Sequence, residues 1–350
     1  MQTINLDVEA ITPLFIAGAD QSYIEGEGLR SPTIRGLMRW WFRAIMGGMT
    51  DIKNVQECEN EVFGSTKARS KIRVLTNVIE GEPVRIDQIP AINSLRYLWF
   101  SIRMQMRDQR LSCYPSGSKF SITLMSDDSD ALRIAASTLW ATIYLGGVGA
   151  RMRRGAGSLR VIKADDDESH CSFSFSGSNI APDAKGFLEK NLKAIFESFK
   201  NEFKYIRKPN GEPPFCILSK KTAKIALINK PFIRYEDGLG EISEVYQSYR
   251  SGRDRFGRKI AREIPREERV VFGLPIQRVY EREKLRHASP LIVGVMKFDG
   301  KHAIRLVKFY TSVHPKFAEK PGHVKMHLDA LDSQLESGFG ETAVEIPEVS

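Results

Sequence analysis

Two hydrophobic periods alternate along the first 165 residues, in an order that admits few folds. Thr3 to Ile11 sets Ile4, Leu6, Val8 and Ala10 against Thr3, Asn5, Asp7 and Glu9, the two-residue period of a half-buried strand. A loop from Pro13 to Arg30 carries Gly18, Gly26 and Gly28. Ser31-Pro32-Thr33 then predicts a helix start, with Ser31 as the cap and proline at the first helical position, and the helix runs to about Met46. Val55 to Phe63 predicts a short second helix and Lys71 to Ile79 a strand. After a long connection, Lys119 to Met125 predicts another strand, with Phe120, Ile122 and Leu124 inward. Asp130 to Leu145 returns to helical spacing through Leu132, Ala135, Ala136, Leu139 and Ile143, and Leu159 to Lys163 closes as a strand.

Strand, helix, strand, strand, helix, strand is the split βαβ order of ferredoxin-like or RRM-like domains, an α+β fold on a four-stranded antiparallel sheet. The full 350 residues suit two domains. The polar stretch Ala164 to Ser178 reads as the boundary, which places one domain at 1–165 and a second at 166–350. The second half has a helix from about Asp183 to Lys204, strands near Phe215–Leu218 and Lys224–Leu227, and stronger strands at Leu291–Lys297 and Ala303–Phe309. A second ferredoxin-like unit with insertions fits these loosely. Arg250 to Arg269, with eight basic and four acidic residues, is either a mobile basic insertion or a mixed-charge surface helix. After Lys325 there is no Lys or Arg, and the last dozen residues read as a loose acidic tail.

The predicted helix ending near Leu145 runs directly into Gly146-Gly147-Val148-Gly149-Ala150-Arg151-Met152-Arg153-Arg154-Gly155-Ala156-Gly157. Glycines allow positive φ and can turn N–H groups toward an anion, and arginines offer forks matched to phosphate oxygens, so the segment predicts a phosphate cradle. It has neither a Walker ending nor a true G-x-G-x-x-G, which excludes a nucleotide loop of those kinds. Arg35, Arg39 and Arg43 form a stripe on the first helix with no acid between Leu29 and Met49; with Arg30 they extend the positive track. Trp40, off the apolar stripe, is either a base-stacking residue or a packing one. The net charge of +9 and pI near 9.3 favour a polyanionic partner.

No run of about 18 apolar residues predicts a membrane span, and Met1 to Thr12 does not pattern as a signal peptide. Cys58, Cys113, Cys171 and Cys216 lie too far apart for a C-x-x-C site and read as reduced, mostly buried thiols of a cytoplasmic protein. Among six histidines only His323 and His327 have helical ligand spacing, with no third ligand evident, so no metal or other cofactor is expected.

Thr12-Pro13-Leu14-Phe15-Ile16-Ala17-Gly18-Ala19-Asp20, Leu29 to Gly36 and Arg39-Trp40-Trp41-Phe42-Arg43 resemble the N-terminal signature of RAMP proteins of CRISPR systems. The glycine-arginine loop is similar to that superfamily's glycine-rich loop. Val271-Phe272-Gly273-Leu274-Pro275 and Arg286 to Ile292 extend the resemblance to the first-numbered subunit of Cmr-type (type III-B) effectors. The resemblance implies tandem ferredoxin-like domains and a subunit that binds CRISPR RNA, target single-stranded RNA or both, near the 3′ end of the guide, while cleavage belongs to another subunit. Some RAMP relatives cut RNA with a histidine near the first strand, but here no histidine precedes His170. The expectation is a non-catalytic RNA binder. The alternatives are a metal-dependent endonuclease using Asp20, assisted by Tyr23, and a scaffold whose arginines meet acidic protein partners.

Overall fold

The computed structural model describes residues 1–16, 28–105, 111–165, 171–175, 184–203, 215–254, 256–265, 268–273, 287–311 and 321–348. Asp20 and Tyr23 lie outside them. In the first half, β1 (Gln2–Ala10) is followed by α1 (Ser31–Met46), α2 (Ile52–Phe63) and β2 (Arg73–Glu80). The long connection holds a two-stranded ribbon, β3 (Val84–Arg85) with β4 (Ser112–Cys113), flanking the short helices α3 (Ala91–Ser94) and α4 (Phe100–Gln105). Then come β5 (Lys119–Ser126), α5 (Ser129–Tyr144) and β6 (Leu159–Asp165). The sheet is antiparallel in the order β2-β5-β1-β6, with Ile4 opposite Leu124 and Val8 opposite Phe120 and Val161.

The second half runs α6 (Ala184–Glu202), β7 (Ala223–Ile228), α7 (Tyr235–Ser251), β8 (Leu291–Phe298), β9 (Lys301–Phe309), α8 (Pro321–Phe339) and β10 (Glu341–Val344). Its antiparallel sheet has the order β10-β7-β9-β8. With strands counted in chain order within each four-stranded sheet, both sheets run two-three-one-four from one edge.

Continuous apolar strands in the second half follow from burial on both faces. Ile225, Leu227, Ile292, Val307 and Phe309 join the core built on α1 and α5. The alternate residues Ile228, Leu291, Val293, Val295, Ile304 and Leu306 join a second core with Leu239 and Ile242 of α7 and Leu328 and Leu331 of α8. The second sheet is therefore the middle layer between two sets of helices. Among the described residues no helix is long and apolar enough to cross a membrane, and all four cysteines are buried and free.

Several expectations change. Ser31 is not the cap: Arg30 holds that position in extended backbone, and the Ser31 hydroxyl lies 3.1 Å from that of Thr76. Phe215–Leu218 forms no strand; the Leu218 N–H instead donates to the Ala44 carbonyl at 2.7 Å, which fastens this segment to the end of α1. The acidic tail is not loose, because Glu341–Val344 pairs with β7 and buries Val344. The basic stretch from Arg250 begins as the last turn of α7, ended by Gly252 in the left-handed region. Finally, α6 lies beyond the predicted boundary but packs Phe187, Leu192, Phe196 and Phe199 into the first core. The connection between β2 and β5 makes the reverse exchange, sending Ile92, Leu95 and Trp99 into the second core.

Asp128 caps α5, accepting from the N–H groups of Asp130 and Ala131 at 3.0 Å. Those bonds and Lys71, 2.9 Å away, hold its carboxyl below the ordinary range. Asp128→Ala is expected to cost about 1 kcal/mol at neutral pH. Because the folded pKa is depressed, that stabilisation is present above the unfolded carboxyl value and fades as pH falls through about 4 and below. Urea titrations of both proteins at pH 7 and pH 3 check this.

Candidate nucleic-acid interface

The glycine-arginine loop has the predicted backbone, with Gly149, Gly155 and Gly157 at φ of 85°, 83° and 62°, and Arg151 also left-handed at 62°. Several of its N–H groups, however, are spent within the protein and do not point to a ligand. Val148 donates to Gly157, Ala150 to Phe15, Gly155 to Val293 and Gly157 to Pro13, all at 2.7–3.0 Å. Glycine is needed for close packing: a Cβ on Gly157 would lie 1.8 Å from the Val148 carbonyl, and one on Gly155 would meet Leu239 of α7 at 2.4 Å. Gly146 and Gly147 are likewise tight, against Trp41 and the Gly157 carbonyl. The loop joins the two halves.

Its arginines turn inward. Arg154, 8% exposed, donates to the carbonyls of Leu291 and Phe272 at 3.1 and 3.2 Å and to the Tyr246 hydroxyl at 2.9 Å. Arg153 donates to the Ser289 carbonyl and covers the Trp40 ring at 5.0 Å. Trp40 also packs edge-on against Trp41 and Phe309, so it is a half-buried junction residue and not an open stacking platform. Arg151 is half-buried, with an Nε–H that has no partner. Burial first, then the charge of Arg154, pushes its guanidinium down to about 10.

Arg250, at the end of α7, completes the group. Its guanidinium lies 5.2 Å from the Tyr246 ring centre and 3.4 Å from the Tyr97 hydroxyl, and its buried Nε also has no partner. Among the described residues no carboxylate pairs with Arg151, Arg154 or Arg250. Arg250, Tyr97 and Tyr246 were not predicted as site residues, because the long connection and α7 reach the loop only through tertiary packing.

The α1 stripe does not form one track with this cluster. Arg39 and Arg43 meet Glu59 of α2, itself 4% exposed, at 2.6 and 3.0 Å. One acid downstream of the stripe therefore compensates half of their charge. Arg35 faces a separate open groove, and Arg30 is half-buried at the start of α1. Arg305 is a further residue that sequence reasoning missed. It is fully buried on β9 and donates to the carbonyls of Tyr144 and Gly146, closing the end of α5; its one signal is a charge inside the apolar run Ile304–Phe309.

His323 and His327 share a face of α8, but His327 is buried and its Nδ1 lies 2.8 Å from the Tyr249 hydroxyl. Among the described residues no group of three or more His, Cys, Asp or Glu side chains could hold a metal.

Residues 7–160 match the RAMP superfamily, and residues 239–338 match the Cmr1-like C-terminal family. The chain is 31% identical over 302 residues to the CRISPR system Cmr subunit Cmr1-1 of Pyrococcus furiosus, covering 83% of each protein. It is 39% identical over 176 residues to subunit Cmr1-2 of that organism, covering 44% of this chain and 92% of that one. The crystal structure of apo Cmr1 from Pyrococcus furiosus superposes with a TM-score of 0.69 at 28% identity, covering 98% of this chain and 99% of that one. A chain of the type III-B Cmr-beta assembly bound to cognate target RNA shares the fold at a TM-score of 0.53 and 14% identity, covering 95% of this chain and 99% of that one. With both halves matched and a relative aligned along most of its length, the chain belongs to the Cmr1 family of the RAMP superfamily.

Proposed function

We propose that this chain is a non-catalytic RNA-binding subunit of a type III-B Cmr effector, made of two tandem ferredoxin-like units. It works in the cytoplasm beside other Cmr subunits and helps to capture target RNA near the 3′ end of the CRISPR RNA. The Pyrococcus furiosus relatives, named as Cmr subunits, support the assembly. The RNA part rests on Arg151 and Arg250, which bring two unpartnered Nε–H donors together beside the inward-bonded Arg154, without a paired carboxylate among the described residues. Phosphodiesters bring the negative charge and the paired non-bridging oxygens that planar guanidinium forks can grip.

The open face of the first sheet offers a poorer site. It presents Asn5, Asp7, Glu9 and Thr123 where RRM sheets place stacking aromatics. Backbone recognition, tolerant of sequence, is therefore the expected mode.

Labelled single-stranded RNA titrated with the full chain over a salt series is expected to bind, with a slope that falls by about 0.7 for each phosphate that an Arg151→Gln/Arg250→Gln variant no longer neutralises. An unchanged affinity and slope would favour the scaffold reading. The same RNA held with Mg²⁺ or Mn²⁺ is expected to stay intact. Cleavage that disappears in Asp20→Asn would overturn the non-catalytic reading in favour of the metal-dependent endonuclease.

A further inference from the structure

A groove of about 750 Å³ opens where α1, the segment between α2 and β2, and the turn after β5 converge. Arg35, Arg69, Lys71 and Arg73 line it on one side, with Asp127 and Asp128 on the other. The acids and the lysine neutralise one another or the chain's amine. Asp128 is occupied by the α5 cap and Lys71, Lys71 also meets Glu61 at 3.2 Å, and Asp127 lies 3.3 Å from the Met1 amine. Arg35, Arg69 and Arg73 have no carboxylate partner among the described residues.

Arg35 is the informative member. It shares the α1 stripe with Arg39 and Arg43, both of which the fold pairs with Glu59, yet it is left with a 3.5 Å approach to the Ile72 carbonyl. Its Nε–H is buried and unpartnered. An orphan donor of a charged group is costly unless an acceptor arrives from outside. Arg69 and Arg73 are exposed beside it, so the three guanidinium groups reach a single open space from three separate elements.

We propose that this groove is a second anion site, distinct from the loop cluster, and that Arg35, Arg69 and Arg73 grip consecutive backbone phosphates of a single-stranded RNA. The identity of the ligand as RNA rests on the proposed function; the anion site itself does not. Three forks from separate elements and no aromatic platform suit phosphate better than base.

The test uses the full chain and an Arg35→Gln/Arg69→Gln/Arg73→Gln variant, with inorganic tripolyphosphate and labelled single-stranded RNA as separate probes. Tripolyphosphate is expected to raise the melting temperature of the parent and not of the variant, and an equal rise in both would overturn the site. With RNA, the variant is expected to bind about tenfold or more weaker, with a salt slope smaller by about 2, from three phosphates at about 0.7 each. Arginine-to-lysine replacements, which keep the charge and lose the fork, should fall between the two. If tripolyphosphate discriminates while RNA binds both proteins alike, the groove takes another anion, such as an acidic segment of a neighbouring subunit, and the RNA assignment is overturned. If the parent binds no RNA at low salt, the proposed function fails and the RNA assignment fails with it, while the tripolyphosphate result still decides the anion site.

Discussion

Asp332→Ala is expected to destabilise the protein by about 3–5 kcal/mol, because it strands a charge inside the second core. Lys308 is fully buried on β9 and donates to the Asp332 carboxylate of α8, with Glu341 of β10 at 3.4 Å. Lys224 of β7 bonds the same two acids at 2.8 and 3.3 Å, so the network ties both central strands, one edge strand and a helix. Burial already pushes the Lys308 amine down to about 8. Removing an anion lowers it further, so the folded variant sheds this proton before the unfolded chain does. The sign follows: the parent sheds the same proton only near pH 8, so the deficit is largest below the variant's folded value, shrinks as pH rises to about 8, and stays level from there to the unfolded lysine value near 10.4. Urea unfolding at pH 7 and pH 9.5 measures both terms. Lys308→Met/Asp332→Leu is expected to recover most of the loss, since Lys224 and Glu341 still pair; equal deficits for the single and double variants would contradict this account.

Arg154→Ala should be nearly as severe, about 3–4 kcal/mol, with three acceptors in the second half losing a buried charged donor. Arg153→Ala, which removes one carbonyl bond and the cover over Trp40, should cost about 1 kcal/mol. The comparison matters for RNA work, because reduced binding by Arg154→Ala would report a loosened junction and not the removal of a phosphate ligand. Near-UV dichroism and denaturant titration separate the two. If Arg154→Ala unfolds with the parent yet binds RNA poorly, its guanidinium is a ligand group in solution, and the inward placement would be wrong.

Local periodicity made most of the first half legible. Alternation in Thr3–Ile11 and Lys119–Met125 and helical spacing around α1 and α5 predicted elements that the structure contains, because each buries one face on its own neighbours. The second half was harder to read, for physical reasons. Helix α7 carries Gly238 and Gly240 and draws its stability from packing against β9, while β10 is a four-residue edge strand with an acid whose partners are 33 and 117 residues away. The continuous apolar run of β8 signals burial but not on which two layers.

Charge showed the same division. The glycine-arginine loop announced itself by composition, and three of its four positive φ values fall on its glycines. Whether those arginines faced solvent, an anion or a carbonyl depended on atoms far along the chain: Glu59 for the α1 stripe, Leu291 and Phe272 for Arg154, Tyr97 and Tyr246 for Arg250. The sequence by itself determined the order of the elements in the first half and an excess of cations, because periodicity and composition are local properties of the chain. Only the tertiary structure decided which of those cations are neutralised and which remain for a ligand, because a charge is compensated through space, by whatever the fold brings to within a few ångströms.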